Sequence, residues 1–280
     1  MGKNKDKKKN DKAKKRKGAK KDGRKPKKGA VPLHSRPRSS MSGRRPTLTI
    51  DIGGTGIKML PLDERGEGLT KRMRELTPKP AHPEPVLEVI AGMLKKVEHD
   101  FERVSVGFPG VVIRGVAKTA PNLDSEAWRD VDIQTAIAEL SGKPTRVIND
   151  ADLQGYGVIT GKGLEMAITL GTGLGAAIYS DGHLVPNLEW GHHPFGDGQT
   201  YEERIRDEVA ESIPKEEFQT RVVTMLEQMK PIFNYERMYI GGGNAKLLDP
   251  AGLPADVTIF RNVEGMQGGM NLWEDTYEDS

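Results

Sequence analysis

The chain has 280 residues, and its 43 lysines and arginines nearly balance its 40 aspartates and glutamates. It contains no cysteine, which excludes disulfides, thiol catalysis, iron–sulfur clusters and cysteine-based zinc sites. No apolar run reaches the roughly 18 residues of a transmembrane helix, and the lysine-rich start lacks the apolar segment of a secretory signal, so a cytoplasmic location is expected.

The charge is distributed unevenly along the chain. Residues 1–46 contain 20 basic and 3 acidic side chains, which leaves 23 basic and 37 acidic side chains for residues 47–280. The first segment has almost no large apolar side chains to offset the entropy of ordering, so it is predicted to be a disordered tail. Through charge alone it could bind a polyanion such as polyphosphate, RNA or anionic lipid. A solubility extension without a fixed partner is the alternative.

In chain order, the segments after the tail alternate between short β-rich runs and longer helical ones, which predicts an α/β protein. Strands are expected at residues 47–51 and 57–62, paired as a hairpin across a glycine turn. Apolar residues at helical spacing predict a helix over residues 86–101. The other elements predicted in this half are strands over residues 103–108, 111–119 and 145–148, a helix from Ile133 to a stop at Gly142, and a helix over 151–159.

The second half begins with a similar hairpin, in which strands over residues 166–170 and 176–179 flank Gly171-Thr172-Gly173-Leu174-Gly175. The repeated hairpin indicates a duplicated fold whose two halves enclose a cleft. The elements predicted after it are helices over residues 201–212 and 216–233, a strand over 237–240, the cluster Gly241-Gly242-Gly243-Asn244, a strand over 257–260 and a short helix near 265–273.

The segment from Asp51 to Lys58, which reads DIGGTGIK, has the residues expected of a phosphate-binding turn. Glycines let backbone N–H groups close around phosphate oxygens, while Thr55 adds a hydroxyl group and Lys58 a positive charge. A carboxylate such as Asp51 repels phosphates unless a divalent cation lies between them, so the segment implies Mg²⁺, bound through water. An ordinary glycine-rich turn is the alternative for one such hairpin taken alone.

Other glycine signatures fit the chain less well. The Gly171-x-Gly173-x-Gly175 spacing resembles a dinucleotide-binding fingerprint, but that fingerprint requires a helix after the glycines, and a strand follows here. No Walker A string occurs in the chain. Two similar hairpins, one in each half, therefore favour a pair of phosphate-binding turns. The bare backbone at Gly242 and Gly243 would let adenosine approach closely, with a plain strand-to-helix turn as the alternative.

Five motifs occur in the order that is typical of the ROK family of sugar kinases, which this chain resembles. Within that family the motifs are most similar to those of the polyphosphate/ATP glucokinases. The resemblance implies an actin-like (ribonuclease H-like) fold with two α/β domains around a cleft. It also implies transfer of a terminal phosphoryl group from polyphosphate or ATP to the 6-hydroxyl of glucose, and it does not separate the two donors. The motifs are Asp51 to Lys58, Asn149-Asp150-Ala151, Leu170 to Gly175, Glu189-x-Gly191-His192 and Gly241 to Asn244.

Carried over residue by residue, the resemblance makes Asp150 the general base. It makes Asn149, Glu189 and His192 contacts of the sugar hydroxyls. A helix cap is the local alternative for the Asn149-Asp150 pair. Many family members supply a further acidic sugar contact after the Gly-His pair, and this contact is not evident in residues 193–198, so the sugar's identity stays open. The implied phosphate- and nucleotide-binding residues are Asp51, Gly53, Gly54, Thr55, Lys58, Gly171, Thr172, Gly173, Gly242 and Gly243, with Asp51 also orienting Mg²⁺ through water.

The predicted organisation is a tail over residues 1–46, an N-terminal domain over 47–158 completed by a C-terminal helix over 265–280, and a C-terminal domain over 159–264. A homodimer is one expected assembly, since ROK kinases are often dimers. The alternative function is a sugar-sensing regulator or binding protein without turnover, tethered to a polyanion by the basic tail. ROK repressors carry a helix-turn-helix, and the tail has no apolar periodicity from which to build one.

Overall fold

Two glycine-linked hairpins organise the described chain, which in this computed structural model comprises residues 44–274. Each hairpin opens a five-stranded sheet, and each sheet forms one half of the fold. Of the predicted tail, only residues 44–46 belong to the described residues. The end of the helix predicted over residues 265–280 also lies outside them.

The first half is built on a mixed sheet in the order β3-β2-β1-β4-β7, in which β1 pairs antiparallel with β2 and parallel with β4. Every residue of β1 and β4 is buried, as expected for a sheet that is covered on both faces. Strands β5 and β6 form a separate small hairpin. In chain order the strands are β1 (Thr47–Ile52), β2 (Ile57–Leu62), β3 (Met73–Glu75), β4 (Arg103–Phe108), β5 (Val112–Ile113), β6 (Val116–Ala117) and β7 (Thr145–Asn149).

The second half repeats this arrangement in the order β10-β9-β8-β13-β14, with β8 antiparallel to β9 and parallel to β13. Both sheets therefore join three antiparallel strands to two parallel ones, and the predicted duplicated, actin-like fold is confirmed. Strands β11 and β12 form a small hairpin of their own. The strands are β8 (Leu164–Leu170), β9 (Leu174–Ser180), β10 (His183–Val185), β11 (Pro194–Gly196), β12 (Gln199–Thr200), β13 (Arg237–Gly241) and β14 (Val257–Ile259).

Helices pack on both sheets, and each half has its own apolar core. Helix α1 buries Val86 and Ile90 in the first core, and α7 buries Val222 and Leu226 in the second. Helix α4 contacts β4 of the first sheet and β8 and β9 of the second, so it lies between the halves. The helices are α1 (Pro83–Leu94), α2 (Ser125–Trp128), α3 (Ile133–Ser141), α4 (Asp150–Tyr156), α5 (Tyr201–Ile205), α6 (Asp207–Ser212), α7 (Lys215–Phe233), α8 (Asn262–Met266) and α9 (Gly268–Asn271).

Several elements differ from their predicted extents. Helix α4, predicted over residues 151–159, covers Asp150–Tyr156, and the helix predicted near residues 265–273 is divided into α8, α9 and a 3₁₀ turn. Helix α1 ends at Leu94, although Val97 and Phe101 still pack against the core from the irregular segment that follows. The helix predicted over residues 201–212 is divided into α5 and α6, because Arg206 has extended backbone and the Asp207 N–H donates to the Gly171 carbonyl at 2.9 Å. The return strand predicted over residues 111–119 is reduced to β5 and β6.

The end of the described chain returns to the first half. Helices α8 and α9 contact both α4 and β1. Gly269 lies so close to Thr49 that an added Cβ would be 2.1 Å from the Thr49 hydroxyl oxygen. The predicted completion of the N-terminal domain by this end of the chain agrees with these contacts, while the domain boundaries themselves stay a prediction. Within residues 44–274, the helices lack the combination of length and apolar character that a bilayer span requires.

Candidate functional site

A cleft of about 360 Å³ is lined by residues from both halves of the fold. Most of the residues predicted from the sequence line it. Two do not, namely Asp51, which is buried and paired with Lys58, and His192, which is exposed. The predicted residues that line the cleft are Gly53, Gly54, Thr55, Lys58, Asn149, Asp150, Gly171, Thr172, Gly173, Glu189, Gly242 and Gly243.

The two glycine turns offer unpaired backbone donors to this cleft. No residue within 44–274 accepts a hydrogen bond from the N–H of Gly54 or Thr55 in the first turn, or from that of Thr172 or Gly173 in the second. Successive free N–H groups in a turn form a concavity that binds anions. Because all four residues line one cleft, the arrangement suits an anion gripped from both halves.

The first turn is supported from the first half of the fold. The Gly53 carbonyl accepts a hydrogen bond from the Thr77 hydroxyl at 2.5 Å, and the Gly54 carbonyl accepts one from Lys79 Nζ at 3.1 Å. The Thr55 carbonyl accepts one from Arg74 Nη2 at 3.3 Å. A donor therefore engages each of three successive carbonyl oxygens, which leaves the free N–H groups of the turn available for a ligand.

Asp150 is the first residue of α4, immediately beyond the carboxyl end of β7, and it lines the cleft. Its Oδ1 accepts a hydrogen bond from the Ala151 N–H at 2.9 Å. Desolvation raises the pKa of the Asp150 carboxyl to about 7, and the negative charge of Asp51 adds to the effect. A carboxylate that lines a cleft and has a pKa near neutral pH has the properties of a general base.

Asn149 occupies the cap position of α4. Its Oδ1 accepts hydrogen bonds from the N–H groups of Ala151 at 2.8 Å and Asp152 at 3.3 Å, while its Nδ2 donates to the Gly110 carbonyl at 3.1 Å. The capping alternative therefore describes Asn149, whereas the Asp150 side chain is directed to the cleft. Asn149 lines the cleft, and its role as a sugar contact stays a prediction.

Glu189 lines the cleft just before a short 3₁₀ turn, Trp190–His192. Desolvation raises the pKa of the Glu189 carboxyl, and the nearby His192 opposes this shift. Of these two predicted sugar contacts, only Glu189 contributes to the lining. The role of His192 as a sugar contact stays a prediction.

Asp51 forms an ion pair with Lys58, with 2.7 Å between Oδ2 and Nζ. Within residues 44–274, no group of three or more histidine or carboxylate side chains is arranged to hold a metal ion directly. Mg²⁺ usually binds through one or two carboxylates together with substrate phosphates rather than in an all-protein cage. Asp51, whose charge helps to raise the pKa of the Asp150 carboxyl, would suit an ion that arrives with donor phosphates.

The third glycine cluster follows β13, where Gly242 has a backbone φ of +87° and ψ of 174°. An added Cβ at Gly242 would lie 2.2 Å from the Leu170 carbonyl oxygen, so the turn passes directly against the strand that leads into the second glycine turn. Only glycine fits both the conformation and the space. The cluster therefore packs against the strand that leads into the second glycine turn.

Several residues at the cleft were not singled out from the sequence. Glu202 lines it from α5, and its Oε2 accepts a hydrogen bond from the Leu174 N–H at 2.9 Å. This carboxylate lies beyond residues 193–198, in which no acidic sugar contact is evident. The Thr200 capping box marks the start of α5 and was the one sequence signal near Glu202. Arg72 and Arg74 also line the cleft, from an irregular loop and a short strand that carried no recognisable motif.

Trp128 belongs to the first core and does not line the cleft. It is fully buried, donates from Nε1 to the Ala81 carbonyl at 2.7 Å and packs on Phe108.

Comparison with known proteins identifies relatives of the whole folded region. The sequence profile described as the ROK family matches residues 47–230. Polyphosphate glucokinase of Mycobacterium tuberculosis is 36% identical over 217 residues, which cover 71% of this chain and 78% of that protein.

Solved structures agree with the sequence matches. The inorganic polyphosphate/ATP-glucomannokinase of Arthrobacter sp. strain KM superposes with a TM-score of 0.73 at 31% identity, covering 82% of this chain and 98% of that one. A ROK family glucokinase from Streptomyces griseus, solved with glucose and AMPPNP, superposes with a TM-score of 0.69 at 21% identity over 81% of this chain and 98% of that one. The second likeness concerns the fold alone.

Proposed function

This chain belongs to the ROK family, and on that premise we propose that it is a glucokinase-type sugar kinase. It transfers a terminal phosphoryl group from polyphosphate or ATP to the 6-hydroxyl of glucose. The observation that carries the proposal is the placement of the Asp150 carboxyl in one cleft with two turns that present free backbone N–H groups. The relatives named polyphosphate glucokinase and inorganic polyphosphate/ATP-glucomannokinase support this class of substrates.

In the proposed reaction, the sugar 6-hydroxyl oxygen attacks the terminal phosphorus of the donor. Asp150 accepts the hydroxyl proton, and the bond to the bridging oxygen breaks so that ADP or a shortened polyphosphate leaves. Phosphoryl transfer needs alignment and charge neutralisation more than covalent chemistry. The free N–H groups of the two turns and the Lys58 ammonium group would supply that neutralisation.

Glu189 and Glu202 would hold sugar hydroxyls, since carboxylates accept hydrogen bonds from a polyol. Asn149 and His192 are proposed as further sugar contacts. Gly242 and Gly243 would lie beside adenosine when ATP is the donor. Asp51 would hold Mg²⁺ through water, and the ion would neutralise charge on the donor phosphates.

The alternative is a sugar-sensing regulator or binding protein without turnover. A binding protein needs neither a base with a raised pKa nor a carboxylate–lysine pair beside the phosphate site, so the composition of the cleft favours the enzyme. The polyanion-binding role of the basic tail, the homodimer and the cytoplasmic location stay predictions.

A coupled assay tests the proposal. Glucose, mannose and an amino sugar are each offered with ATP and with polyphosphate, with and without Mg²⁺. Magnesium-dependent formation of a hexose 6-phosphate is the expected result. If the sugars bind saturably and no combination of sugar and donor gives product, the non-catalytic alternative is favoured.

A further inference from the structure

A second cavity, of about 610 Å³, adjoins the catalytic cleft on its donor side. The two cavities share four lining residues: Arg72, Gly242, Gly243 and Asn262. A ligand that passes the third glycine cluster would therefore leave the cleft through this second cavity.

The charge of the lining differs between the two cavities. Carboxylates line the cleft, including Asp150, Glu189 and Glu202, whereas the second cavity is lined by three cations and by no acidic side chain. Its apolar part includes Phe260 and Val263. The surrounding chain is acidic, since residues 47–280 hold 37 acidic and 23 basic side chains. This local concentration of cations in an acidic body favours a ligand of opposite charge.

Two of the three cations are free to meet such a partner. Arg261 is engaged by Glu264, with 3.0 and 2.7 Å between its Nε and Nη2 atoms and Glu264 Oε1. Arg72 and Lys246 have no ion-pair or hydrogen-bond partner within residues 44–274, and both are exposed. Free guanidinium and ammonium groups of this kind bind phosphate oxygens through charge-assisted hydrogen bonds.

Arg72 extends the cavity across the two halves of the fold. It belongs to the loop between β2 and β3 of the first half, while the remaining lining comes from residues 242–263, which run from the third glycine cluster to the start of α8. Lys246 lies in a 3₁₀ turn after the third glycine cluster and lines the second cavity alone. A chain of phosphates leaving the cleft would thus meet Arg72 first and Lys246 farther out.

We propose that the second cavity binds the phosphates of a linear polyphosphate donor beyond the phosphate that is transferred, with Arg72 and Lys246 as their cationic contacts. This inference rests on the proposed function for the identity of the cleft. Adenosine is uncharged, so it would contact the apolar residues of the same cavity. Each further phosphate of a polyphosphate instead adds a negative charge that a free cation can bind. The two residues should therefore make the site sensitive to the length of the polyphosphate.

Displacement of a fluorescent ATP analogue, trinitrophenyl-ATP, tests the inference in the full-length protein. The analogue reports on the cleft, and because the basic tail is present in every variant, its effect on the longer chain is the same when the variants are compared with wild type. Wild type, R72A and K246A are each titrated with tripolyphosphate and with a longer linear polyphosphate. R65A and K143A are the matched controls, since Arg65 and Lys143 are exposed cations that line neither cavity.

In wild type, the longer chain should displace the analogue at a lower concentration than tripolyphosphate. K246A should reduce this preference by about three- to tenfold, as expected for one lost charge-assisted contact, and leave tripolyphosphate unchanged. R72A should weaken both, and the control variants neither. Equal displacement by both lengths in wild type, or an unchanged preference in K246A, would overturn the inference and indicate a cavity for the nucleoside only.

The readout needs no turnover, so the two proposals can fail separately. Length-dependent displacement without any sugar phosphorylation would retain this inference about the cavity and reject the kinase. Failure of the analogue to bind wild type would reject the donor site and the inference together.

Discussion

At the scale of single residues, the Asp150 carboxyl is held where two influences favour its protonated form. Desolvation at the cleft floor disfavours its charge, and so does the nearby Asp51 carboxylate. The ordinary carboxyl pKa would leave a weak base at neutral pH, whereas a value of about 7 gives a stronger base that remains partly ionised. Asp51 belongs to β1 and Asp150 follows β7, so the raised pKa depends on the arrangement of strands in the first sheet.

The first prediction concerns this group. Asp150→Asn should lower kcat by about 10²- to 10⁴-fold, because the amide cannot accept the hydroxyl proton, while the sugar still binds. Steady-state kinetics with glucose, together with calorimetric measurement of sugar affinity, checks it. Turnover at the wild-type rate would remove Asp150 from the proposed role.

The second prediction concerns pH. Because the pKa of Asp150 is raised to about 7, the base is protonated below that pH, so kcat/KM should rise with pH and level off above about 7. Measurement across about pH 5 to pH 9 with saturating coupling enzymes tests the profile. Donor phosphates also titrate in this range, so the same limb must appear with both ATP and polyphosphate. A profile that follows the donor, or that is flat below pH 7, contradicts the assignment.

The sequence predicted the cleft residues that belong to motifs and missed those that lie outside any motif. Asp150 and the two glycine turns could be identified because motifs and a family resemblance single them out. Arg72 and Glu202 line the cleft from a loop and a helix whose positions depend on tertiary packing. No local sequence pattern predicts those positions. The β11–β12 hairpin contacts α5, and the Glu202 carboxylate on α5 accepts a hydrogen bond from the Leu174 N–H at the second turn. The place of Glu202 therefore depends on contacts that the local sequence does not contain.

At the scale of elements, local signals located the strands well. The hairpin of β1 and β2 and the stop of α3 at Gly142, which has a φ of +64°, follow from glycine positions and apolar runs. The failures come from contacts between distant segments. Apolar periodicity continues to Phe101 although α1 ends at Leu94, because Phe101 reaches the core from a loop, and the division of α5 from α6 depends on the Gly171 carbonyl.

The third prediction concerns the turn after β13. Gly242→Ala should lower the free energy of unfolding by about 1–3 kcal/mol or more, because a Cβ there would be both strained and 2.2 Å from the Leu170 carbonyl oxygen. Urea denaturation measures this. Gly243→Ala is the control, since an added Cβ at Gly243 meets nothing within 4 Å. Equal midpoints for the two variants would contradict the account of this turn.

At the scale of the whole molecule, a strongly basic segment is joined to an acidic body. Residues 1–46 hold 20 basic side chains, and the rest of the chain has an excess of acidic ones. Arg44 and Arg45, assigned to the tail from sequence, form ion pairs with Glu274 at 2.6 Å and Glu102 at 3.2 Å. A truncation that tests the tail should therefore begin at residue 44 rather than at residue 46.

The fourth prediction follows from this charge distribution. Removing residues 1–43 should raise KM for polyphosphate far more than KM for ATP, because the polycation raises the local concentration of a long polyanion near a body that repels it. The difference should shrink at high salt. Kinetics with both donors at two ionic strengths measure it, with urea denaturation as the control for folding. Equal changes for the two donors would exclude this role for the segment.

The environments of the three tryptophans bear on how sugar binding can be followed. Trp128 is enclosed in the first core, and Trp273 lies between Arg103 and Arg146, with guanidinium carbons 5.1 and 4.7 Å from its ring centre. Trp190 alone is adjacent in sequence to a cleft residue, Glu189, and it stacks on His193 with 4.7 Å between ring centres. Under the proposed function, Trp190 is therefore the indole whose emission we expect to change when a sugar binds beside Glu189, and a titration that follows it needs no attached dye.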